Sequence, residues 1–571
     1  MEKPTLVFLL HGYSDGPKRL SLVADTIRTS LGNAEVITPD LRLSRISWTP
    51  LNRVIAELLR DIDEHWSTGK YGRVVLVGHS CGALLARKLY IAACGSLGRA
   101  PLEPDLLHTC TTLRPWAGSV ERLVLLAGMN NGWSIDYHMS PGRALHHSLG
   151  VLGVRALHFF LRRWPTIFEI RRGSPFLTQL RIQWLLMRRA AQERGVGGAI
   201  VVQLLGTIDD MVSPRDNIDL VTGADFFFLD VPNSGHSSVL KMDASPEGQA
   251  RAAMLKHALT ANPAQLRDNA VPIDDVNPVA IRNDVTEVVF VIHGIRDEGF
   301  WTDKIAREIL TQGREDSRVF ARETSTYGYF GMLPFLSPWQ RRRKVEWFMN
   351  RYAEAIARYP NVEKFHYVGH SNGTYLLARA LQDYPCCQFN RIVFAGSVVP
   401  SRYDWKTLLH ATPPQAREIL NYAATADWVV AFFPSCYEYL GLSDIGGAGY
   451  RGFVPPRGTD AVPQVANVRY VVGEHSAAIK EGNWKAIARF IVHGSLPGEP
   501  LCAVPTEGNH ARRMAVFAWC PPLVWLMIFA ALISLPVLLV LGSTHYHWRE
   551  WLVTSLLIAY FSSVWYVGNR V

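Results

Sequence analysis

Short apolar runs of four to seven residues alternate, over most of the chain, with stretches whose apolar residues return every three or four places. In the first part the runs fall at 5–10, 74–77, 122–127 and 199–205; in the second they fall at 288–292, 365–368, 391–395 and 418–423. Runs this short, bounded by glycine and turn residues, predict strands, and the 3.6-residue periodicity between them predicts helices. Strands that are apolar without alternation belong to parallel sheets buried on both faces. The pattern therefore predicts an α/β architecture used twice, with mostly parallel sheets covered by helices.

The two halves agree in the order of their parts as well as in their periodicity. The run 6–10 leads into His11-Gly12-Tyr13, and the run 288–292 into His293-Gly294-Ile295. Later, His236-Ser237-Ser238-Val239-Leu240-Lys241 matches His475-Ser476-Ala477-Ala478-Ile479-Lys480 in chemical type at nearly every place. Self-similarity at so long an offset points to duplication of a whole domain. The 571 residues have room for two such domains and an appendage. The expected division is a first domain at 1–262, a polar linker at 263–284, a second domain at 285–494 and a further linker at 495–513. The copies differ in their insertions. A long surplus in the first copy gives an expected helical, basic cap at about 133–198.

Chemistry enters with a five-residue pattern that occurs twice, Gly78-His79-Ser80-Cys81-Gly82 and Gly369-His370-Ser371-Asn372-Gly373. Each follows an apolar run and precedes a helical stretch, the context in which a serine is exposed on a cramped strand-to-helix turn. A serine nucleophile needs a base to take its proton, a carboxylate to orient that base, and donors for the oxyanion. Both copies supply these in the order serine, acid, histidine: Ser80, Asp209 and His236, then Ser371, Asp427 and His475. Asp210, next to Asp209, is the alternative first acid. His79 and His370 read as packing or hydrogen-bonding residues of the turn.

These motifs make both halves resemble the α/β-hydrolase superfamily, in particular its lipase and esterase branch with Gly-His-Ser-x-Gly nucleophile elbows. The resemblance covers about 5–260 and 285–492. It implies an Asp-x-x-Val arrangement at the acid, which favours Asp209 over Asp210 because valine stands three places after Asp209 and after Asp427. It also implies an oxyanion hole built from backbone N–H groups, those of Cys81 and Asn372 after the nucleophiles and of Tyr13 and Ile295 after His-Gly. A serine at the nucleophile place disfavours dehalogenase and epoxide-hydrolase chemistry. The sequence has no P-loop, no well-placed GxGxxG and no HExxH, so no cofactor or metal is expected.

The formal net charge of +9 is concentrated between positions 143 and 194, where ten arginines face two acids. No nucleic-acid-binding motif accompanies them. Aromatic and aliphatic residues interleaved with the arginines suggest a lid against lipid head groups, or simply a cap with a solvated basic side. Near the end, residues 514–541 form a 28-residue stretch without formal charge, about 42 Å if helical. A second apolar stretch, 551–567, is rimmed by Trp548, Trp551, Trp565 and Tyr566. Together they predict a membrane hairpin. Arg512, Arg513 and Arg570 flank it, while the connector has Arg549 offset by Glu550, which predicts that both hydrolase domains face the cytoplasm. No signal peptide is legible at the N-terminus, and the eight cysteines show no pairing pattern.

The expected activity is that of a membrane-anchored serine hydrolase acting on carboxylic esters, lipid esters among them, with the bilayer as its partner. Thioesterase or amidase chemistry is the alternative within enzymes. A membrane-tethered binding or effector module with hydrolase folds is the alternative outside them.

Overall fold

In the computed structural model, residues 3–44, 46–108, 112–132, 165–209, 225–271, 280–295, 297, 299–424, 426–441, 444–455, 462–471, 473–497, 521–546 and 549–570 are described, and the apolar runs are strands. The first six are β1 Thr5–Leu10, β2 Ala34–Ile37, β3 Arg73–His79, β4 Val120–Leu126, β5 Ile200–Gly206 and β6 Phe226–Val231. They form one parallel sheet in the order β2-β1-β3-β4-β5-β6. The next six are β7 Glu287–Ile292, β8 Phe320–Glu323, β9 Lys364–His370, β10 Arg391–Ala395, β11 Glu418–Ala424 and β12 Val465–Val471. They form a second parallel sheet, β8-β7-β9-β10-β11-β12. Place for place the two strand orders are the same. Repeated topology of this kind is the structural counterpart of the duplicated motifs.

All six residues of β1 are buried, because successive side chains point to opposite faces and both faces are covered. Leu6, Phe8 and Leu10 pack with Val54, Leu58 and Ile62 of helix Leu51–Ser67 and with Leu85 and Leu89 of helix Cys81–Ala93. Val7 and Leu9 face the other way, onto Val23 and Ile27 of helix Ser21–Leu31 and Leu255 and Ala258 of helix Pro246–Thr260. Each fully buried side chain of this kind is worth about 1.5–3 kcal/mol of transfer free energy. The second sheet repeats the arrangement, with Val289 and Val291 against Ile305 and Ile309 of helix Thr302–Glu315 and Ile487 and Ile491 of helix Trp484–His493.

The contacts separate the chain into two compact units, Met1–Ile281 with Asn350–Arg358 and Tyr384–Cys386, and Arg282–Met349 with Tyr359–Asp383 and Cys387–Val571. The division falls inside the expected linker 263–284. The front of that stretch is ordered: helix Pro263–Asp268 is closed by a capping box between Asn262 and Gln265.

The expected basic cap at about 133–198 is described only in its later part. Residues 133–164 lie outside the described residues. The remainder contains a 20-residue helix, Pro175–Arg194, capped by Ser174 and packed against helix Cys81–Ala93. Its Trp184 carries the Arg87 guanidinium at 4.7 Å, and its Gln183 accepts from Lys88 at 2.6 Å. Arg188 donates to the carbonyls of Gly197 and Ala199 and to Asp225. This helix is the covered crossover between β4 and β5. The charge of Arg188 satisfies protein groups rather than lipid head groups.

Two helices close the chain, Pro521–Tyr546 and Glu550–Arg570, and Tyr560 donates its hydroxyl proton to the Leu532 carbonyl at 2.7 Å. Residues 514–520 of the expected first span lie outside the described residues. Among the described residues one helix segment, Pro521–Ser543, is long and apolar enough to cross a membrane, and beyond its first residue its side chains are half-buried or exposed.

Candidate active site

Each nucleophile-like serine stands at the carboxyl end of a strand. β3 ends at His79 and helix Cys81–Ala93 starts two residues later; between them Ser80 is held at φ 53°, ψ −116°. Ser371 occupies the same place between β9 and helix Asn372–Asp383, at φ 52°. A positive φ at a residue with a side chain costs about 1–3 kcal/mol and persists only where its surroundings force it. Here backbone packs on backbone. A Cβ on Gly78 would lie 2.3 Å from the Gly82 carbonyl oxygen, and one on Gly82 2.3 Å from that of Leu10.

In the first unit the structure brings three predicted residues into one relay. Ser80 Oγ lies 2.9 Å from His236 Nε2, and His236 Nδ1 lies 3.1 Å from Asp209 Oδ2. The carboxylate accepts from Nδ1–H, so Nε2 is left as the acceptor that faces the serine hydroxyl. The Asp209 and His236 side chains are almost wholly removed from solvent. Met129, three residues past β4, places its sulfur 4.0 Å from Ser80 Oγ. Asp210 lies outside the described residues.

The second unit is built alike but joined differently. His475 Nδ1 lies 2.9 Å from Asp427 Oδ2, and Asp427 is fully buried. Asp427 also caps helix Trp428–Leu440, its Oδ1 accepting from the Val430 N–H at 3.0 Å. The Asp-x-x-Val spacing thus has a physical basis in this copy, since a capping carboxylate binds the N–H three residues on. His475 Nε2 has no hydrogen-bond partner among the described residues, so Ser371 and His475 are not bonded here. The two acids hold equivalent places: Leu204 pairs with Leu126 and Tyr422 with Ala395, and each acid lies five residues past its strand partner.

The His-Gly turns sit beside the serines because β1 and β3 pair with Leu10 opposite Gly78, and β7 and β9 with Ile292 opposite Gly369. A Cβ on Gly12 would lie 3.2 Å from Ser80 Cβ, and one on Gly294 2.6 Å from Ser371 Cβ. His11 Nδ1 donates to the Gly12 carbonyl at 2.9 Å while its Nε2 accepts from Leu41 N–H at 3.0 Å. His293 Nδ1 likewise donates to the Gly294 carbonyl at 2.8 Å. In a trans peptide the C=O and the following N–H point in opposite directions. Fixing these carbonyls therefore fixes the direction of the Tyr13 and Ile295 N–H groups.

Sequence reasoning missed the group that secures this turn in the second unit. The Tyr327 hydroxyl donates to the Gly294 carbonyl at 2.7 Å, and Asn372 Nδ2 donates to that hydroxyl at 3.2 Å. Nothing in the sequence joins Tyr327 to Gly294, 33 residues before it. His79 and His370 have a definite role too. Their Nε2 atoms donate to the main-chain carbonyls of His236 at 2.8 Å and of His475 at 3.3 Å.

Burial sets the electrostatics. It holds the His79 imidazole down to about 4, helped by the neighbouring His236, and holds His370 down to about 3, helped by His475. Both are neutral donors at ordinary pH. Burial also pushes the Cys81 thiol up to about 12, which makes it an inert neighbour of Ser80.

Residues 7–252 match the model of the Alpha/beta hydrolase family. Solved structures similar to the chain include the phospholipase PlaB from Legionella pneumophila, 15% identical with a TM-score of 0.30, over 48% of this chain and 63% of that one. The chain thus spans less than two thirds of that phospholipase. Another is the lipase BlEst2 from Bacillus licheniformis, 14% identical with a TM-score of 0.27, over 45% of this chain and 92% of that one. A third is the RedJ thioesterase of the prodiginine pathway in Streptomyces coelicolor, 16% identical with a TM-score of 0.25, over 45% and 91%. No curated protein matches the sequence. The family match covers residues 7–252, so the first unit is similar to the alpha/beta hydrolase family, and the second sheet repeats the strand order of the first.

Proposed function

We propose that this hydrolase cleaves carboxylic esters, lipid esters among them, through an acyl-enzyme formed on Ser80, with Ser371 as a second nucleophile. The observation that carries the reading is the Ser80–His236–Asp209 relay at 2.9 and 3.1 Å on a strained strand-to-helix turn. Ser80 Oγ attacks the acyl carbon as its proton passes to His236 Nε2, and Asp209 steadies the imidazolium that results. The tetrahedral oxyanion is taken by the N–H groups of Tyr13 and Cys81. Collapse breaks the ester bond, and His236 returns its proton to the leaving alkoxide. Water then attacks the acyl-serine, gives a proton to His236 and releases the acid, and the proton goes back to Ser80. Each oxyanion donor contributes about 3–4 kcal/mol to such a barrier.

Membrane anchoring through the hairpin at 514–541 and 551–567 belongs to the same reading. Its support is the largely unburied apolar segment Pro521–Ser543 and the pairing of the two helices. With Arg512, Arg513 and Arg570 flanking the hairpin, both units would face the cytoplasm. The test is turnover of a p-nitrophenyl ester series by full-length protein in detergent. Ser80→Ala lowers kcat by at least about a thousandfold at the first centre. Unchanged turnover in the Ser80→Ala/Ser371→Ala double variant removes the reading.

A further inference from the structure

The carboxyl edge of the second sheet, where Ser371 and Asp427 stand, carries large apolar side chains that face outward. Phe300, after β7, is 77% exposed; Tyr329, after β8, is 58% exposed; Trp428, after β11, is 46% exposed. Trp428 opens helix Trp428–Leu440, whose Tyr439 is also exposed, eleven places on and therefore on the same face. Soluble surfaces rarely gather aromatic residues around one edge without a partner.

Two contacts say what that partner is. Helix Pro521–Tyr546 packs on helix Trp428–Leu440. The Trp525 ring stands edge-on to Phe433 with centroids 4.6 Å apart, and its Nε1 donates to the Phe432 carbonyl at 3.4 Å. Trp525 is in the first two turns of the apolar segment Pro521–Ser543, so the contact lies where that segment starts, not at its middle. The other closing helix, Glu550–Arg570, packs on the short helix Met332–Leu336, three residues after Tyr329. Both sides of the rim are thus tied to the C-terminal helices. Tryptophan and tyrosine at the start of a span are side chains suited to the head-group level of a bilayer.

We propose that this rim is a lipid-docking surface, and that Ser371 draws its acyl substrate from the bilayer that Pro521–Ser543 crosses. The inference rests on the reading of Ser371 as a nucleophile and of that segment as a span.

The test places p-benzoylphenylalanine at position 300 or 439 of the full-length chain in phosphatidylcholine vesicles, with position 319 as control. Val319 is exposed but precedes β8, at the opposite end of the sheet. Photolysis is expected to give phosphatidylcholine adducts at 300 and 439 at least about tenfold above those at 319. Equal yields at the three positions overturn the docking surface, and this readout needs no turnover. In a second arm, Phe300→Ser/Tyr439→Ser is made in the Ser80→Ala background. Hydrolysis of a vesicle-borne ester is expected to fall at least about fivefold while p-nitrophenyl butyrate stays within about twofold. An equal fall for both substrates overturns delivery from the bilayer. No hydrolysis by Ser371 of either substrate overturns the nucleophile reading instead, and the adduct yields then decide the surface alone.

Discussion

His79 donates its Nε2 proton to the main-chain carbonyl of His236 at 2.8 Å, tying the turn that bears Ser80 to the loop that bears its base. The second unit repeats the bond between His370 and His475 at 3.3 Å. The second-place histidine therefore acts on the backbone of the imidazole loop and not on a substrate. His79→Ala is expected to lower kcat for the first centre by about tenfold to a hundredfold with KM little changed. His79→Gln, which keeps a donor, is expected to recover part of the loss. Steady-state kinetics in the Ser371→Ala background separates these outcomes.

The same histidine links stability to pH. Burial holds its folded value at about 4, against about 6.5 in the unfolded chain, so the unfolded chain binds the proton that the folded one refuses. Stability is complete above about pH 6.5 and is lost as pH falls towards about 4, on the order of 3 kcal/mol from this group. Urea midpoints of the full-length protein between those values should fall with falling pH. His79→Gln should flatten that slope.

Tyr327 secures the His-Gly turn of the second unit through the Gly294 carbonyl and accepts from Asn372. Tyr327→Phe removes a buried donor and leaves the Asn372 amide without that acceptor, a loss of about 1–3 kcal/mol. Fluorophosphonate labelling of Ser371 should slow by about tenfold or more, while labelling of Ser80 is unchanged. An equal effect on both serines would mean that Tyr327 acts on overall folding.

Gly82 lies under the Leu10 carbonyl, where a methyl group would have to stand 2.3 Å from backbone oxygen. Neither chain can yield without breaking the pairing of β1 with β3. Gly82→Ala is expected to destabilise the first unit by about 3 kcal/mol or more. Gly16→Ala, with open space around it, is the matched control. Thermal unfolding of the two variants tests the difference.

Much of this arrangement was legible in the sequence because the parallel strands, buried on both faces, read as unbroken apolar runs. The order of serine, acid and histidine was legible as well, since Ser80, Asp209 and His236 follow β3, β5 and β6 at the carboxyl edge of one sheet. Helix Pro175–Arg194 was harder to read. Arginine among aromatics looks the same whether the guanidinium meets a phosphate or, as Arg188 does, the carbonyls of Gly197 and Ala199. The bond from Tyr327 to Gly294 was hidden for a different reason. It joins residues 33 positions apart that only the pairing of β7 with β8 brings together. The difference between a bonded Ser80 and an unbonded Ser371 depends on side-chain placement of a kind that identical motifs do not encode.

That difference orders the two centres. His236 Nε2 already holds the Ser80 hydroxyl, whereas His475 Nε2 has no partner among the described residues. Ser80 is expected to react faster than Ser371 by about tenfold or more with a small electrophile. The most direct measurement is a time course of fluorophosphonate modification of the full-length protein, with the labelled peptides located by mass spectrometry. The account predicts early phosphonylation at Ser80, abolished by Ser80→Ala and strongly slowed by His236→Ala. A folded protein whose Ser80 stays unmodified under conditions that saturate other serine hydrolases would contradict it.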